Sequence, residues 1–563
     1  MKTIVKGTVP TSVVEEITDM IRALCDIAGY GLHSGIRPGE SGDRAATYIL
    51  SKLHAAGLTT ARFEPIKVNN PYPSGFEVTV ETDGKQTSLS EQCFPMQYCK
   101  ETPPGGGGLT GEMVYLGDGS QSYFNLVDVK GKIALIDEKM MRGYIASAKE
   151  AVVQAKDQGA IAIFRANMYV DSPQQQKGEG LPTDIFPIPV FCFSKSGGDY
   201  LRNVAVFGRP HTVTIRHEVS RKVYDASNIV LELPGNGSME EVILVGTHYD
   251  TGHFTGAVDN NGSVALMIKL AEYFFSNKAV LRNRDMIFAW CFGHDFDMNS
   301  GHYQFAEAHK DQLVKAVVWD VDHALGGIRY QYDETKGEIV PVEGETCEFY
   351  IISNNYIFTK LAGFTMDKHG FTCTQNRFES TGRGPQWGIA PTTSPWVNVA
   401  SIPLYYHSIF DTPDKITRDQ ISRAYQAHVE MLENIDHLPE GFLFYDNISK
   451  TRSNTPAQVT IAILSETVKV GDTVKVWNDE TRFYDDKMAY HYPGVPEWAG
   501  TTWDWGDGSQ ITIGGPTASH VYEKPGTYTI TMEFTDTEGA AATAIKEITV
   551  LPHSSSPTIV SKQ

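Results

Sequence analysis

The chain has 563 residues, too many for a single hydrophobic core, so at least two domains are expected and three fit best. Its composition, 41 % hydrophobic and 21 % charged, is that of an ordinary globular protein, and a net charge of −20 argues against nucleic acid or an anionic membrane as partner. No stretch approaches the length of a membrane span, and seven scattered cysteines without a CxxC pair indicate neither a cysteine zinc knuckle nor a disulfide scaffold.

The first residues, MKTIVKGTVPTSVVEEITDM, lack an apolar core of signal-peptide length. That reads as cytoplasmic for the chain as it stands, and as extracytoplasmic if a leader was removed. SVVEEITDMIRALCDIA and SGDRAATYILSKLHAAG carry apolar residues at three-to-four spacing and predict two helices, the second from Ser41 to Gly57. His33 lies in the loop between them, where a surface role is the simpler expectation. From about Asn70 the texture changes. NNPYPSGFEVTVETDGKQTSL predicts a β-hairpin turning at Asp83-Gly84, and GGGG at 105–108 predicts a flexible joint. GEMVYLGDG, GKIALIDE, a helix from Ala146 to Gln158, AIAIFRA and IPVFCFS then make a small α/β unit. It holds no tight cluster of His and carboxylates and reads as an insert that shapes or covers a site.

The main sheet resumes at SNIVLELPGNGSMEE. The apolar run Val242 to Val245 reads as a buried parallel strand. It ends in Thr247-His248-Tyr249-Asp250, where strand spacing puts His248 and Asp250 on one side. A Gly-rich loop delivers Asp259 ahead of a helix with Ser263 near its start. MIFAWCF (286–292) is a second apolar strand, ending in Gly293-His294-Asp295. AVVWDV (316–321) ends in Asp322-His323, and, after a long stretch of poor periodicity, SIPLYY runs into His407. A capped turn would explain any one of these residues. Their recurrence at the end of four apolar runs points to a site at the edge where open α/β sheets build theirs. Beyond a linker at 441–454 the pattern turns to period-two alternation: VKVGDTVKVW, TWDWGDGS, HVYEKPGTYTITMEFTDTEG and AIKEITV. It predicts an antiparallel β-sandwich over 455–552, with Trp503 and Trp505 in its core, and a disordered tail at 553–563.

His248, Asp259, Asp295, Asp322 and His407 offer imidazole and carboxylate without thiolate, a set suited to zinc and also to iron, manganese or cobalt. Five ligands exceed one catalytic zinc site, which takes about three from the protein, so two divalent metal ions sharing a carboxylate fit better. Such a pair sits roughly 3.5–4 Å apart and activates water against a polarised carbonyl. Asp250 is expected to orient His248 through its free ring nitrogen.

VILVGTHYD, GAVDNNGS, the strand ending at His294-Asp295, Asp322, and YYHSIFDTPDKI resemble, in order, the metal-site motifs of the di-zinc aminopeptidase family. That family includes aminopeptidase Y, glutamate carboxypeptidase, the transferrin receptor and the glutaminyl cyclases. The resemblance runs from about residue 10 to 440. It implies an α/β catalytic domain, a mostly parallel mixed sheet sandwiched by helices, built from residues 1–69 and 221–440. It further implies His248 and Asp322 on one metal, Asp295 and His407 on the other, Asp259 bridging them, and a cis bond at Asp259-Asn260. Residues 70–220 resemble the family's protease-associated domain, which lines the substrate channel, through GEMVYLGDG, VKGKIALID, AKDQGAIAIF and FPIPVFCFS. WDWGDGS and HVYEKPGTYTITMEFTD resemble a polycystic kidney disease (PKD) domain, which implies a fold and no chemistry.

The family carries Glu-Glu where this chain has His294-Asp295; the first Glu acts as general base, the second as metal ligand. Asp295 can still ligate on a shorter arm. His294 leaves three readings. In the first it is the acid/base of an aminopeptidase-like hydrolase acting on a small peptide or small-molecule amide, although two nearby dications disfavour its charged form. In the second it is itself a ligand, and the chemistry is that of a non-peptidase lyase or cyclase, with His253, Asp297, His302 or His323 as replacement base. A surface or packing role is the simpler expectation for each of those four. In the third the chain is an inactive binding module, against which stands retention of the whole ligand set. The hydrolase ranks first. Arg329, Arg377, Arg383 and Trp387 are candidates to line the pocket, again with surface roles simpler for each. The oligomeric state is left open.

Overall fold

The computed structural model describes residues 9–96, 99–103, 108–138, 153–173, 188–207, 210–277, 282–295, 300–353, 355–378, 394–444, 457–463, 465–484, 489–491, 501–513, 517–535 and 541–552. The joint at 105–107, most of the 146–158 helix, most of the 441–454 linker and the 553–563 tail lie outside them. The chain divides into two compact units, residues 1–115 with 129–451, and residues 116–128 with 452–563. Among the described residues no helix is long and apolar enough to cross a membrane.

Four strands form the heart of the larger unit: Asp285–Cys291, Val242–His248, Ala316–Asp320 and Trp396–Ser401, adjacent in that order and all parallel. His211–Leu233 flanks one side antiparallel, Phe349–Ser353 the other. The central strands are apolar throughout because both faces are covered. Ile243, Val245, Phe288, Trp290, Val317 and Trp319 share a core with the helices Thr11–Ala28, Glu40–Ala55, Gly262–Ser276, Tyr356–Lys368 and Arg418–His437. Their alternates Val242, Leu244, Ile287, Ala289 and Val318 point to the other face, against Phe305 and Ala306 of the short helix Gly301–Ala308. Local sequence starts the longest of these helices: Thr417 and Gln420 exchange side-chain and backbone hydrogen bonds in a capping box. The second predicted helix begins one residue early, at Glu40, and stops at Ala55. Ser41 does not cap it; its Oγ accepts the Arg37 N–H at 2.9 Å instead.

At the N-terminal ends of the central strands, Arg284 is buried in a cage of acceptors. It reaches Glu241 at 2.7 Å and the carbonyls of Ile435, Asp436 and Leu438, while the Asp436 carboxylate accepts the Arg284 N–H at 2.9 Å. This pins the last helix to the sheet.

The strands Arg62–Thr82 and His211–Leu233 pair without interruption from Arg62↔Val230 to Thr82↔His211, apart from an irregularity at Pro73/Gly75. The positions 69/70 and 220/221 therefore fall inside one continuous two-stranded ribbon, Asn69 opposite Val223 and Asn70 opposite Lys222. The expected hairpin turns at Asp83-Gly84, both at positive φ, into Lys85–Ser88. The ribbon carries a separate five-stranded sheet, ordered Cys93–Pro95, Val190–Phe193, Ala162–Asn167, Ile133–Glu138 and Met113–Tyr115. Its own core is built on Val78, Val80, Phe164, Phe191 and Ile215.

In the smaller unit the strands Thr467–Lys469, Ala541–Leu551, Gly526–Thr535, Thr501–Asp504 and Thr512–Ile513 form one sheet, in that order. Ala457–Ile463, Thr473–Tyr484 and Thr517–Val521 pair in a second. The sandwich is antiparallel as predicted, except that Thr467–Lys469 runs parallel to its neighbour. Trp503 and Trp505 are buried in its core with Tyr522, Ile530 and Met532.

Two consequences can be measured. Arg284→Ala leaves Glu241 buried without its cation and should cost about 3–5 kcal/mol in denaturant unfolding. Arg284→Met with Glu241→Leu should recover most of that loss. Separately, the Trp319 indole N–H donates to His428 Nδ1 at 3.0 Å. Burial, then the neighbouring His369, pushes the His428 pKa down to about 3. A histidine buried neutral stabilises the fold above its unfolded pKa of about 6.5, and the contribution is lost as pH falls toward the folded value, at up to about 1.4 kcal/mol per pH unit. The stability gap between wild type and His428→Gln should therefore narrow from pH 7 to pH 5; a constant gap would count against this account.

Candidate metal centre

Because the four central strands are parallel and in close register, their carboxyl ends meet at one edge. His248 ends its strand opposite Cys291, and Gly246 lies opposite Asp320. Asp295 and Asp322 follow directly on the neighbouring strands. His407 arrives differently. SIPLYY is not a strand: the strand stops at Ser401, Pro403 follows, and the segment through Phe410 is a series of turns with His407 at φ 54°. A proline has no N–H for a ladder, so the apolar character of Leu404 and Tyr405 reflects packing rather than pairing.

The loop carrying Asp259 is held from several sides. Gly256 has φ 70°, and a Cβ there would lie 2.4 Å from the Asp259 carbonyl oxygen, so only glycine fits. The Asp259–Asn260 peptide bond is cis. Asn260 donates to Thr247 Oγ1 at 3.0 Å and accepts the His323 N–H at 3.1 Å, which links two strand ends. Ser263 Oγ accepts the Ala324 N–H at 3.0 Å. The fully buried Asp411 carboxylate accepts the N–H groups of Val258 at 2.8 Å and Asp259 at 3.0 Å. Burial pushes its pKa up to about 7 against those two donors. Asp411 stands four residues after His407 in YYHSIFDTPDKI, but its role depends on the distant loop of 258–259, which the local sequence does not show.

Asp259 faces two ways. Its Oδ1 lies 3.4 Å from His248 Nε2 and 3.1 Å from His323 Nε2, and its Oδ2 lies 3.0 Å from His407 Nε2. Asp322 Oδ1 lies 3.5 Å from His248 Nε2 and 3.3 Å from His323 Nε2. Among the described residues, two groups bring three or more donor atoms within 4.8 Å of one another: His248, Asp259, Asp322 and His323; and His248, Asp250 and Asp295. His248 Nε2, both Asp259 oxygens and Asp322 Oδ1 are buried without a hydrogen-bond partner. Burial opposes charge here, yet the carboxylates of Asp250, Asp259 and Asp322 hold His248 well above the ordinary imidazole range. The same field that holds a proton attracts a divalent cation, and this N/O donor set fits one.

Asp250 does more than the sequence suggests. The His248 Nδ1 hydrogen bond goes to the Asp250 main-chain carbonyl at 2.9 Å, while Asp250 Oδ1 is 3.7 Å away. The carboxylate instead collects the N–H groups of Gly293 (2.9 Å), His294 (3.2 Å) and Asp295 (2.6 Å). It thereby sets the turn that presents both residues. His294 is half-buried, its ring centroid 4.5 Å from that of His248, and it falls in neither donor group.

Of the other histidines, His253 packs on Phe94 at 4.6 Å, and His302 is buried with its ring 5.7 Å from that of His294. His323 does not follow the packing expectation: it is buried inside the cluster. Its signal was present, since it directly follows Asp322 at a strand end. Arg329 is a surface residue paired with Glu345 at 2.6 Å. Asp297, Arg383, Trp387 and the Arg377 side chain lie outside the described residues.

A parallel-centred sheet between helix layers, with His and Asp converging at the carboxyl edge, defines the class: the zinc-aminopeptidase fold. Residues 228–432 match peptidase family M28 and residues 492–550 match a PKD domain. A segment similar to peptidase family M28 is thus followed, toward the C-terminus, by a segment similar to a PKD domain. Carboxypeptidase Q of Mus musculus is 24 % identical over 273 residues, and that of Bos taurus 25 % over 233. The alignments span 56 % and 47 % of those two proteins, about half of each. Among solved structures, a peptidase M28 precursor from Shewanella amazonensis SB2B superposes with TM-score 0.57 at 16 % identity, covering 76 % of this chain and 95 % of that one. BSAP, a zinc aminopeptidase from Bacillus subtilis, gives 0.54 at 17 %, covering 75 % and 94 %. These likenesses establish the fold.

Asp411→Asn keeps the shape but replaces one acceptor with an NH₂ group facing two N–H donors. Zinc affinity, measured by chelator competition, should fall about 10–100-fold, the usual cost of losing an outer partner of a ligand. Unchanged affinity would remove Asp411 from the positioning of Asp259.

Proposed function

We propose that this chain is a metal-dependent hydrolase of small peptides or amides. In this reading two divalent ions, zinc being the best match, are held by His248, Asp259 and Asp322 on one side and by Asp259, Asp295 and His407 on the other. The observation that carries it is the pair of Asp259 oxygens, one facing His248 and the other His407, which is what a shared carboxylate requires. When bound, such ions polarise a scissile carbonyl and make water acidic enough to attack near neutral pH. The chain's own residues do the rest. His294 takes the proton from the attacking water and gives it to the departing amine as the C–N bond breaks. Asp250 fixes the turn on which His294 sits. Phe254, with its ring centroid 4.9 Å from that of His407, and Phe94 against His253 supply an apolar wall. Phe94 and Ser172 come from the segment resembling a protease-associated domain; Ser172 Oγ accepts the N–H of Ile409 at 3.1 Å, beside His407. That supports a role for this segment in bounding the substrate channel.

The likenesses include proteins named for cleavage from opposite ends, so the substrate panel should contain peptides with free amino termini, peptides with free carboxyl termini and aminoacyl amides. Purified protein should carry close to two zinc ions per chain, and chelation should abolish hydrolysis. His294→Ala should lower kcat by about 10²–10⁴, the usual worth of a general base, at unchanged metal content. Loss of metal along with rate would favour the non-peptidase reading, in which His294 is a ligand. No metal after supplementation would overturn the proposal.

A further inference from the structure

We propose that His323 is a fourth protein ligand of the ion held by His248, Asp259 and Asp322, which makes that position a closed tetrahedral site. The inference rests on the metal-dependent reading above and goes beyond the ligand set the resemblance implies, in which His323 has no place.

Three observations carry it. First, distances. Zinc takes imidazole nitrogen and carboxylate oxygen at about 2.0–2.1 Å, so neighbouring ligand atoms around a tetrahedron are about 3.3–3.4 Å apart. The four separations between the imidazole Nε2 atoms and the carboxylate Oδ1 atoms are 3.1, 3.3, 3.4 and 3.5 Å. All four are longer than charged hydrogen bonds, which run about 2.7–2.9 Å, and all are near the edges of that tetrahedron. Second, orientation. His248 Nδ1 is 2.9 Å from the Asp250 carbonyl oxygen, and His323 Nδ1 is 2.9 Å from the Ser401 carbonyl oxygen. Each carbonyl takes the Nδ1–H, so both rings turn an Nε2 lone pair into the same space, the arrangement that fixes the tautomer of a ligating histidine. Third, backbone. His323 sits at φ 46°, uncommon for a residue with a side chain, and is held there by the Asn260 side chain at 3.1 Å. The fold holds this imidazole where a relaxed turn would not.

The consequence is functional asymmetry. Structural zinc sites have four protein ligands, whereas catalytic sites keep a position open. With His323 in place the first position is filled by protein, and substrate is polarised on the side of Asp295 and His407.

The test uses the full chain, stripped by chelation and titrated with Co²⁺ under visible absorption, with Zn²⁺ affinity from competition. Wild type should bind a first, tight equivalent with intense tetrahedral bands, then a second, weaker one. In His323→Ala the tetrahedral intensity of the first equivalent should collapse, and its Zn²⁺ affinity should fall more than about 100-fold, beyond the loss typical of an outer partner. His323→Gly with added imidazole should restore tight binding and the tetrahedral bands, a rescue a merely structural role would not produce; glycine suits the positive φ, so this variant also serves if the alanine variant fails to fold. A first-equivalent spectrum unchanged in His323→Ala, or a His323→Gly variant that imidazole does not rescue, overturns the inference. A wild type that binds no Co²⁺ at all overturns the metal-dependent reading itself.

Discussion

The structure depends on one electrostatic constraint. Asp250, Asp259, Asp295 and Asp322 are all buried within one edge of the sheet, none of them more than 7 % exposed. Removing that many carboxylates from water is unfavourable unless positive charge and hydrogen-bond donors meet them. Asp250 is met by three backbone N–H groups; Asp259 and Asp322 are met by imidazoles. What remains is a set of inward-facing oxygen and nitrogen atoms whose natural complement is a small divalent cation. Gly256, the grip of Asp411 and the Asn260 bridge all serve to keep this set converged.

The same parallel strands do opposite work at their two ends. At the amino ends, Arg284 saturates its donors on Glu241 and on the last turn of the C-terminal helix, leaving nothing free for a ligand. At the carboxyl ends, donors are arranged toward one another and away from saturation. A rigid, doubly covered sheet between the two makes that possible, because strand tips fixed in register can hold side chains from four different segments within a few ångströms.

Where the motifs this chain resembles carry a carboxylate it has the imidazole of His294, and His323 brings a further imidazole into the donor cluster. Both make the site richer in nitrogen, and the imidazole at His294 in place of a carboxylate also makes it less negative. They need not act together: His323 lies inside the donor cluster, whereas the half-buried His294 ring lies 4.5 Å from that of His248 and belongs to neither donor group. In the proposed reading, His323 would alter how an ion is held and His294 how a proton is moved.

Much of this was legible in the sequence because it follows from local periodicity. Uniformly apolar runs announce strands covered on both faces, and a run that stops at His248, Asp295 or Asp322 announces what those strand tips present. Alternation, turn residues and the tryptophans of WDWGDGS did the same for the C-terminal sandwich. Tertiary structure decided what depends on contact between distant segments. The uninterrupted ribbon from Arg62 to Thr82 could not be seen where proline and glycine break the local pattern, since its partner lies more than a hundred residues away. His407 comes from turns rather than a strand, because Leu404 and Tyr405 are apolar for packing. Asp250, Asp411 and His323 each take their meaning from a partner elsewhere in the chain: the backbone of 293–295, the loop of 258–259, and the Ser401 carbonyl. A sequence states which side chains can bind an ion or hold a turn; only the fold states which lone pairs face the same point, because that is set by backbone angles and by hydrogen bonds made across the sheet.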